Sequence, residues 1–159
     1  MQFRCATAYH LLRTRIKKPS RSVAKDIYHN AVRTAIEKEG WTITDDPLTL
    51  TIGKRDLFVY LGAEKIMIAE RQGQKIAVEV KSFISPSLVK DLENALGQYI
   101  IYANIMARVE PDRILYLAVR VEIYKELFSE ELVQVVLANN PIKLIVFDSK
   151  QEVIVEWIP

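Results

Sequence analysis

The chain has 159 residues, of which 50% are hydrophobic and 26% are charged, with one cysteine and a formal net charge of +2. This length is sufficient for one domain with a buried core, and the composition is that of an ordinary globular protein. Cys5 alone excludes an internal disulfide and a cysteine-based zinc site, and fits a reducing compartment. No apolar run reaches the roughly 20 residues of a membrane span. We therefore expect a cytoplasmic protein, and so small a net charge does not by itself indicate nucleic-acid binding.

The basic residues are concentrated at the N-terminus. Seven of them precede the first acidic residue, Asp26: Arg4, Arg13, Arg15, Lys17, Lys18, Arg21 and Lys25. The rest of the chain then has 15 basic and 20 acidic residues. Such a segment is typical of an arm that binds phosphates, of an organelle transit peptide, or of a stretch upstream of the natural start. We interpret residues 1–22 as a poorly ordered or non-native basic extension and residues 23–159 as a single domain.

Helix and strand patterns alternate in the first half of this domain. Ser22 is placed to cap a helix over about 23–39, and Gly40 follows its C-terminal end. Asp45-Asp46-Pro47 has turn chemistry and predicts a hairpin between the first two strands. The strands predicted from alternation and apolar runs cover residues 41–44, 48–52, 56–61, 64–70 and 74–83.

The second half predicts a crossover between parallel strands. The longest helix begins at Ser85-Pro86 and ends near Ala107, and Gly97 inside it predicts close packing against the sheet. Residues 113–119 are almost wholly apolar, which indicates a buried central strand. The remaining elements are two short helices, 121–128 and 129–138, and two strands, 142–147 and 153–158. This order predicts an α/β fold with a mixed central sheet flanked by helices on both faces.

The strand over 74–83 carries the candidate chemistry. Glu79 and Lys81 are two residues apart, so both side chains leave the same face of the strand. A carboxylate beside an ammonium can bind a divalent cation and stabilise charge on a phosphate. The same pair can equally be an ion pair on a solvated sheet surface. Gln98 and Tyr102 are four residues apart in the long helix and share one of its faces.

Five stretches together resemble the XisH family, over about residues 25–157. They are DIYHNAV at 26–32, GKRDL at 53–57, LGAE at 61–64, KIAVEVKSF at 75–83 and ALGQY at 95–99. Members of that family are cyanobacterial proteins described as controlling factors for excision of a DNA element during heterocyst differentiation. The resemblance implies a restriction-endonuclease-like domain of the PD-(D/E)XK superfamily over 23–159. It also implies a partner, XisI, that is encoded beside such proteins.

The resemblance further implies roles for four residues. Glu79 and Lys81 match the E-x-K pair, in which the acid binds the metal and the base positions water or stabilises the phosphorane. Gln98 and Tyr102 match the Q-x-x-x-Y feature on the helix after that strand. The cofactor that the resemblance implies is Mg²⁺ or Mn²⁺.

Two positions depart from the family pattern. An aspartate is expected directly before LGAE, where this chain has Tyr60, and a glutamate is expected in the first helix, where it has His29. By its sequence position alone, His29 reads as a partly buried helix histidine. Asp56 shares the strand face with Tyr60 but lies about 13 Å along the strand. Three functions remain open: an excision factor with an impaired site, an active Mg²⁺-dependent DNA endonuclease, or a non-enzymatic subunit that binds a partner, DNA or a second copy.

Overall fold

The computed structural model describes residues 27–48, 51–52, 55–56 and 66–159, with side chains over 27–46 and 66–159. The basic extension, Tyr60 and most of the predicted strand 56–61 lie outside the described residues. In chain order the elements are α1 (His29–Lys38), β1 (Thr42–Leu48), β2 (Thr51–Ile52), β3 (Arg55–Asp56), β4 (Ile66–Arg71), β5 (Gln74–Val80), α2 (Leu88–Val109), β6 (Arg113–Arg120), α3 (Val121–Glu126), α4 (Glu131–Asn139), β7 (Leu144–Asp148) and β8 (Val153–Ile158).

Six strands form one mixed sheet in the order β1-β4-β5-β6-β7-β8. The three central strands β5, β6 and β7 are parallel to one another, and the outer strands pair antiparallel. The long helix α2 therefore joins two parallel neighbours, as the sequence predicts. Leu117, Ala118 and Val119 of β6 are fully buried, which confirms that this strand is central.

The sheet has a hydrophobic core on each face, because successive side chains of a strand point in opposite directions. Ile76, Val78 and Val80 of β5 pack with Val32 and Ile36 of α1. The alternate side chains of β5 point to the face covered by α2, α3 and α4. The predicted α/β architecture with helices on both faces is thus confirmed.

The predicted hairpin around Asp45-Asp46-Pro47 is wrong. β1 runs through all three residues and pairs with β4, with irregular register between Ile43 and Asp45 and between Asp45 and Leu48. These residues are tolerated because β1 is an edge strand, where bulges and a proline disturb no second neighbour. By contrast, β4 and its tight turn into β5 are confirmed, with positive φ at Gln72 and Gly73.

The helices α1 and α2 both begin later in the chain than the sequence predicts. Ile27 and Tyr28 form a turn, so α1 begins at His29, whereas the predicted cap at Ser22 lies outside the described residues. In α2, the Oγ of Ser87 rather than Ser85 accepts the cap hydrogen bond, from the Lys90 amide at 3.3 Å. Among the described helices, none combines the length and the apolar character of a membrane-spanning segment.

Gly97 does not pack against the sheet, so the predicted reason for this glycine is wrong. It is exposed, and no neighbouring group lies within 4 Å of where a Cβ would stand.

We expect Gly97→Ala to raise the free energy of unfolding by about 1 kcal/mol, because alanine costs less backbone entropy in a helix. Urea unfolding measures this. Gly73→Ala is the control, and its left-handed φ of +79° predicts a loss of stability. A stability loss in Gly97→Ala as well would contradict this account.

Candidate functional site

The C-terminal end of β5 places Glu79 and Lys81 on the sheet face that α2 covers. Glu79 is 0% exposed and Lys81 is 7% exposed. The Nζ of Lys81 lies 3.3 Å from Oε1 of Glu79. The backbone N–H of Lys81 donates to the Ala118 carbonyl at 3.2 Å, which continues the parallel ladder beyond β5. Both side chains are therefore buried side by side, and the alternative of a solvated surface pair is wrong.

The helix α2 brings the two other predicted residues to the same side of the sheet. Oε1 of Gln98 accepts a hydrogen bond from Nζ of Lys81. One turn later, Tyr102 is buried in the core that α2 forms with this face of the sheet. Burial raises the pKa of Tyr102 to about 12, and the negative charge of Glu79 adds to the rise. Glu79, Lys81, Gln98 and Tyr102 thus lie together on this side of the sheet.

The carboxyl group of Glu79 has few compensating interactions. Neither of its oxygens accepts a hydrogen bond from any described residue. Burial raises the pKa of Glu79 from 4.5 to about 8. The cause is the free-energy cost of burying a charged carboxylate away from water. Near neutral pH the carboxyl group is therefore largely protonated.

Tyr99, the residue after Gln98 in α2, is a further neighbour of this cluster. Its hydroxyl donates to the Leu115 carbonyl and accepts from the Lys143 amide, both at 3.0 Å. Burial raises the pKa of Tyr99, and the charge of Glu79 makes a smaller contribution. The hydroxyl thereby fixes α2 to β6 and to the segment before β7. An aromatic residue three positions before Tyr102 is the only sequence signal, and it does not distinguish this tyrosine from any other in the core.

His29 belongs to α1, which packs on the face of the sheet opposite to Glu79. Its Nε2 is 2.8 Å from Oδ2 of Asp46, and Nη1 of Arg33 is 3.1 Å from the same oxygen. Because α1 packs on the face opposite Glu79, the structure pairs His29 with Asp46 and not with the Glu79 cluster. This corrects the expectation that His29 supports that cluster, and it agrees with a buried helix histidine.

The other two supporting residues stay predictions. The backbone of Asp56 lies in β3, where it pairs with Thr51 in a separate two-stranded sheet. Its side chain and the whole of Tyr60 lie outside the described residues.

The described residues do not by themselves fit a magnesium ion. Mg²⁺ takes about six oxygen ligands in octahedral geometry, usually with carboxylates and water among them. Glu79 offers one carboxylate, beside a cation, and the amide oxygen of Gln98 is bonded to that same cation. Within the part of the chain that the structure describes, no three His, Cys, Asp or Glu side chains gather around a metal position.

The loop after β5 connects this cluster to the surface. A cleft of about 370 Å³ is lined by residues 81–85 together with Asp91 and Asn94. Phe83 has a φ of +49°, which is rare for a bulky residue, and its ring contacts that of Phe128 edge to face at 6.0 Å. The cleft therefore has a well-packed, conformationally strained wall.

Arg120 links this loop to the other face of the sheet. One nitrogen, Nη2, donates to the Ser82 carbonyl at 3.2 Å, and the guanidinium carbon lies 4.5 Å from the centre of the Tyr28 ring. The N-terminal end of α1 is thus held beside the loop that carries Lys81. Sequence analysis missed Arg120, because nothing in its local pattern shows that it bridges two distant segments.

The fold and the cluster define an α/β protein with a mixed sheet, whose central strand ends in a buried acid–base pair backed by a long helix. The family model described as XisH protein matches residues 22–155, and the chain belongs to the XisH family. A crystal structure of a FdxN element excision controlling factor protein from Anabaena variabilis is 47% identical, with a TM-score of 0.76. The match covers 83% of this chain and 98% of that one. A crystal structure of an XisH family protein from Nostoc punctiforme PCC 73102 is 43% identical, with a TM-score of 0.78. That match covers 84% of this chain and 100% of the Nostoc chain. The comparison with curated proteins gave no match.

Proposed function

We propose that this chain is a controlling factor in the excision of a DNA element, and that it acts without a complete phosphodiesterase site of its own. The similar Anabaena variabilis protein, an FdxN element excision controlling factor, supports the role in excision. The incomplete phosphodiesterase site is inferred from Glu79, which is the one carboxylate of the described cluster. Glu79 is buried beside Lys81 and largely protonated near neutral pH. A neutral acid is a poor ligand for a hard cation.

The arrangement supports descent from a nuclease of the PD-(D/E)XK type. An acid and a lysine leave one face at the end of the central strand, and a glutamine and a tyrosine approach them from the following helix. In this proposal the cluster is retained for its packing, and Tyr60 stands where an active enzyme has its metal-binding aspartate. The chain would then act through a partner, for which an XisI-like protein is our expectation.

One observation favours an active Mg²⁺- or Mn²⁺-dependent endonuclease instead. Both oxygens of Glu79 are fully buried and accept no hydrogen bond from the described residues. Such oxygens keep their lone pairs for a hard cation. A second acid for such a site would have to come from residues that the structure does not describe.

Plasmid cleavage and calorimetric titration of Mn²⁺ separate these two candidates. We expect no metal-dependent cleavage by the wild-type protein, and a gain of Mn²⁺ binding in Tyr60→Asp. Ile84→Asp is the control, because it adds a carboxylate at an exposed position of the neighbouring loop. Wild-type cleavage that disappears in Glu79→Ala would establish the active endonuclease. Cleavage that survives Glu79→Ala would come from another source.

A further inference from the structure

The solvent-facing side of α2 has two large apolar residues at its middle. Ile100 and Ile101 are adjacent in the chain, and they are 44% and 39% exposed. Tyr102, the next residue, is buried against the sheet, so the two isoleucines lie on the part of the helix that the core does not cover. Exposed aliphatic side chains are common on protein surfaces. What distinguishes this pair is the shape and the charge of the helix around it.

The residues one turn to either side of the isoleucines leave a recess. Gly97 has no side chain, and no described group lies within 4 Å of where its Cβ would stand. Asn104 folds back on its own helix, since its Nδ2 donates to the Ile100 carbonyl at 2.8 Å. Positions 97, 100, 101 and 104 have the spacing i, i+3, i+4 and i+7, the set of four that forms a hole for a side chain of a facing helix. The isoleucines supply both the side chains and part of the hole.

The charges at the two ends of this surface match each other about its centre. Positions 93 and 108 are equally far along the helix from the point midway between Ile100 and Ile101. One is the acid Glu93 and the other the base Arg108, and both are exposed. Glu93 also pairs with Lys90 of its own helix, at 2.8 Å. Two antiparallel copies of α2 centred on the isoleucines would therefore place each Glu93 opposite the Arg108 of the other copy.

We propose that this surface, the α2 face formed by positions 93, 97, 100, 101, 104 and 108, binds the same surface of a second copy of the chain about a two-fold axis. A two-fold contact uses one surface twice, so that surface has to be self-complementary. The α2 face meets this requirement in shape, through its isoleucines and recess, and in charge, through Glu93 and Arg108. The inference does not depend on the proposed function.

The other exposed apolar helix surface lacks this complementarity. Leu132 and Val135 of α4 are 56% and 55% exposed. The first turn of α4 has the acid Glu131, but its last turn has no basic residue. An antiparallel pair of α4 helices would therefore gain no contact between opposite charges at its ends. This difference is why the second copy is assigned to α2.

Sedimentation velocity of the full chain over a wide concentration range measures the pairing. A contact of one helix from each chain is smaller than a standard interface of about 1,600 Å², so the wild-type mass should rise from one chain to two as the concentration increases. Ile101→Glu should raise the dissociation constant at least about tenfold, because the axis brings two unpaired carboxylates into one contact. Leu132→Glu is the matched control and should pair as the wild type does. Urea unfolding of dilute protein should show wild-type stability for both variants, since both positions are exposed.

Charge reversal tests the antiparallel register. Glu93→Arg alone and Arg108→Glu alone each place like charges opposite one another, so each variant should pair more weakly, by about two- to tenfold. An equimolar mixture of the two variants should recover the pairing, because opposite charges then meet at both ends. The pair between Lys90 and position 93 within one helix cannot produce this recovery, since mixing two proteins does not restore it.

Three results would overturn the proposal. Wild-type protein that stays a single chain at every concentration would show that the α2 face does not bind a second copy. Pairing that is lost in Leu132→Glu and kept in Ile101→Glu would assign the contact to α4. A mixture that pairs no better than its components would show that Glu93 and Arg108 do not face each other. The cleavage and Mn²⁺ experiments are unaffected by each outcome, because none of these variants replaces a residue of the Glu79 cluster.

Discussion

Glu79→Gln is expected to remove most of the pH dependence of stability between about pH 5 and 8. Burial raises the pKa of Glu79 to about 8 in the folded protein, while the unfolded chain keeps the ordinary value of 4.5. The folded state therefore binds the proton more tightly than the unfolded state does. This stabilisation is fully present below pH 4.5 and is lost progressively as the pH rises to about 8.

The size of this effect follows from the shift. One pKa unit corresponds to about 1.4 kcal/mol, so the wild-type protein should lose on the order of 3–5 kcal/mol over this range. Glutamine has a similar shape, stays neutral and can still interact with Lys81. The variant should consequently be the more stable protein at pH 8, by about the amount that the wild type has lost.

Urea unfolding at pH 5, 6.5 and 8 measures the difference. The matched control is Glu93→Gln in α2, because the Glu93 side chain is 60% exposed and pairs with Lys90. An exposed pair of this kind contributes little, so this control should follow the wild-type pH profile. If Glu79→Gln instead destabilised the protein at pH 8 by several kcal/mol, Glu79 would be charged in the folded state and stabilised by Lys81.

Phe128→Ala is expected to lower the free energy of unfolding by about 3–5 kcal/mol. Phe128 is 1% exposed, and its ring contacts those of Phe83, at 6.0 Å, and Tyr124, at 5.9 Å. Removing the ring leaves a cavity and also takes away a contact that holds Phe83 in its left-handed conformation. Such a conformation costs about 1–3 kcal/mol and persists only while its surroundings impose it.

The loop that carries Lys81 should therefore loosen more than the rest of the sheet. Hydrogen exchange of the amides of residues 81–85, together with urea unfolding, measures this. Ile84→Ala is the control in the same loop, since Ile84 is 60% exposed, and its effect should stay within about 0.5 kcal/mol. Equal effects of Phe128→Ala and Ile84→Ala on stability would show that Phe128 does not support the loop.

Sequence patterns predicted the order of the main elements and the placement of Glu79 beside Lys81, and the family resemblance grouped Gln98 and Tyr102 with them. The period-two pattern around Glu79 and Lys81 placed both on one face of a strand, and the spacing of Gln98 and Tyr102 placed them on one face of a helix. The apolar run 113–119 identified the central strand β6. These are local properties, because each depends on residues that are close together in the chain.

The burial of these features and their contacts could not be predicted from local patterns. Asp45-Asp46-Pro47 has the chemistry of a turn, yet pairing with β4 keeps it in a strand. The pairing of His29 with Asp46 depends on the face of the sheet that α1 covers. The raised pKa of Glu79 arises in the same way, since α2 covers its carboxyl group and excludes water. Burial and pKa depend on segments that are distant in sequence and adjacent in space, whereas a pattern of spacing records only what is near along the chain.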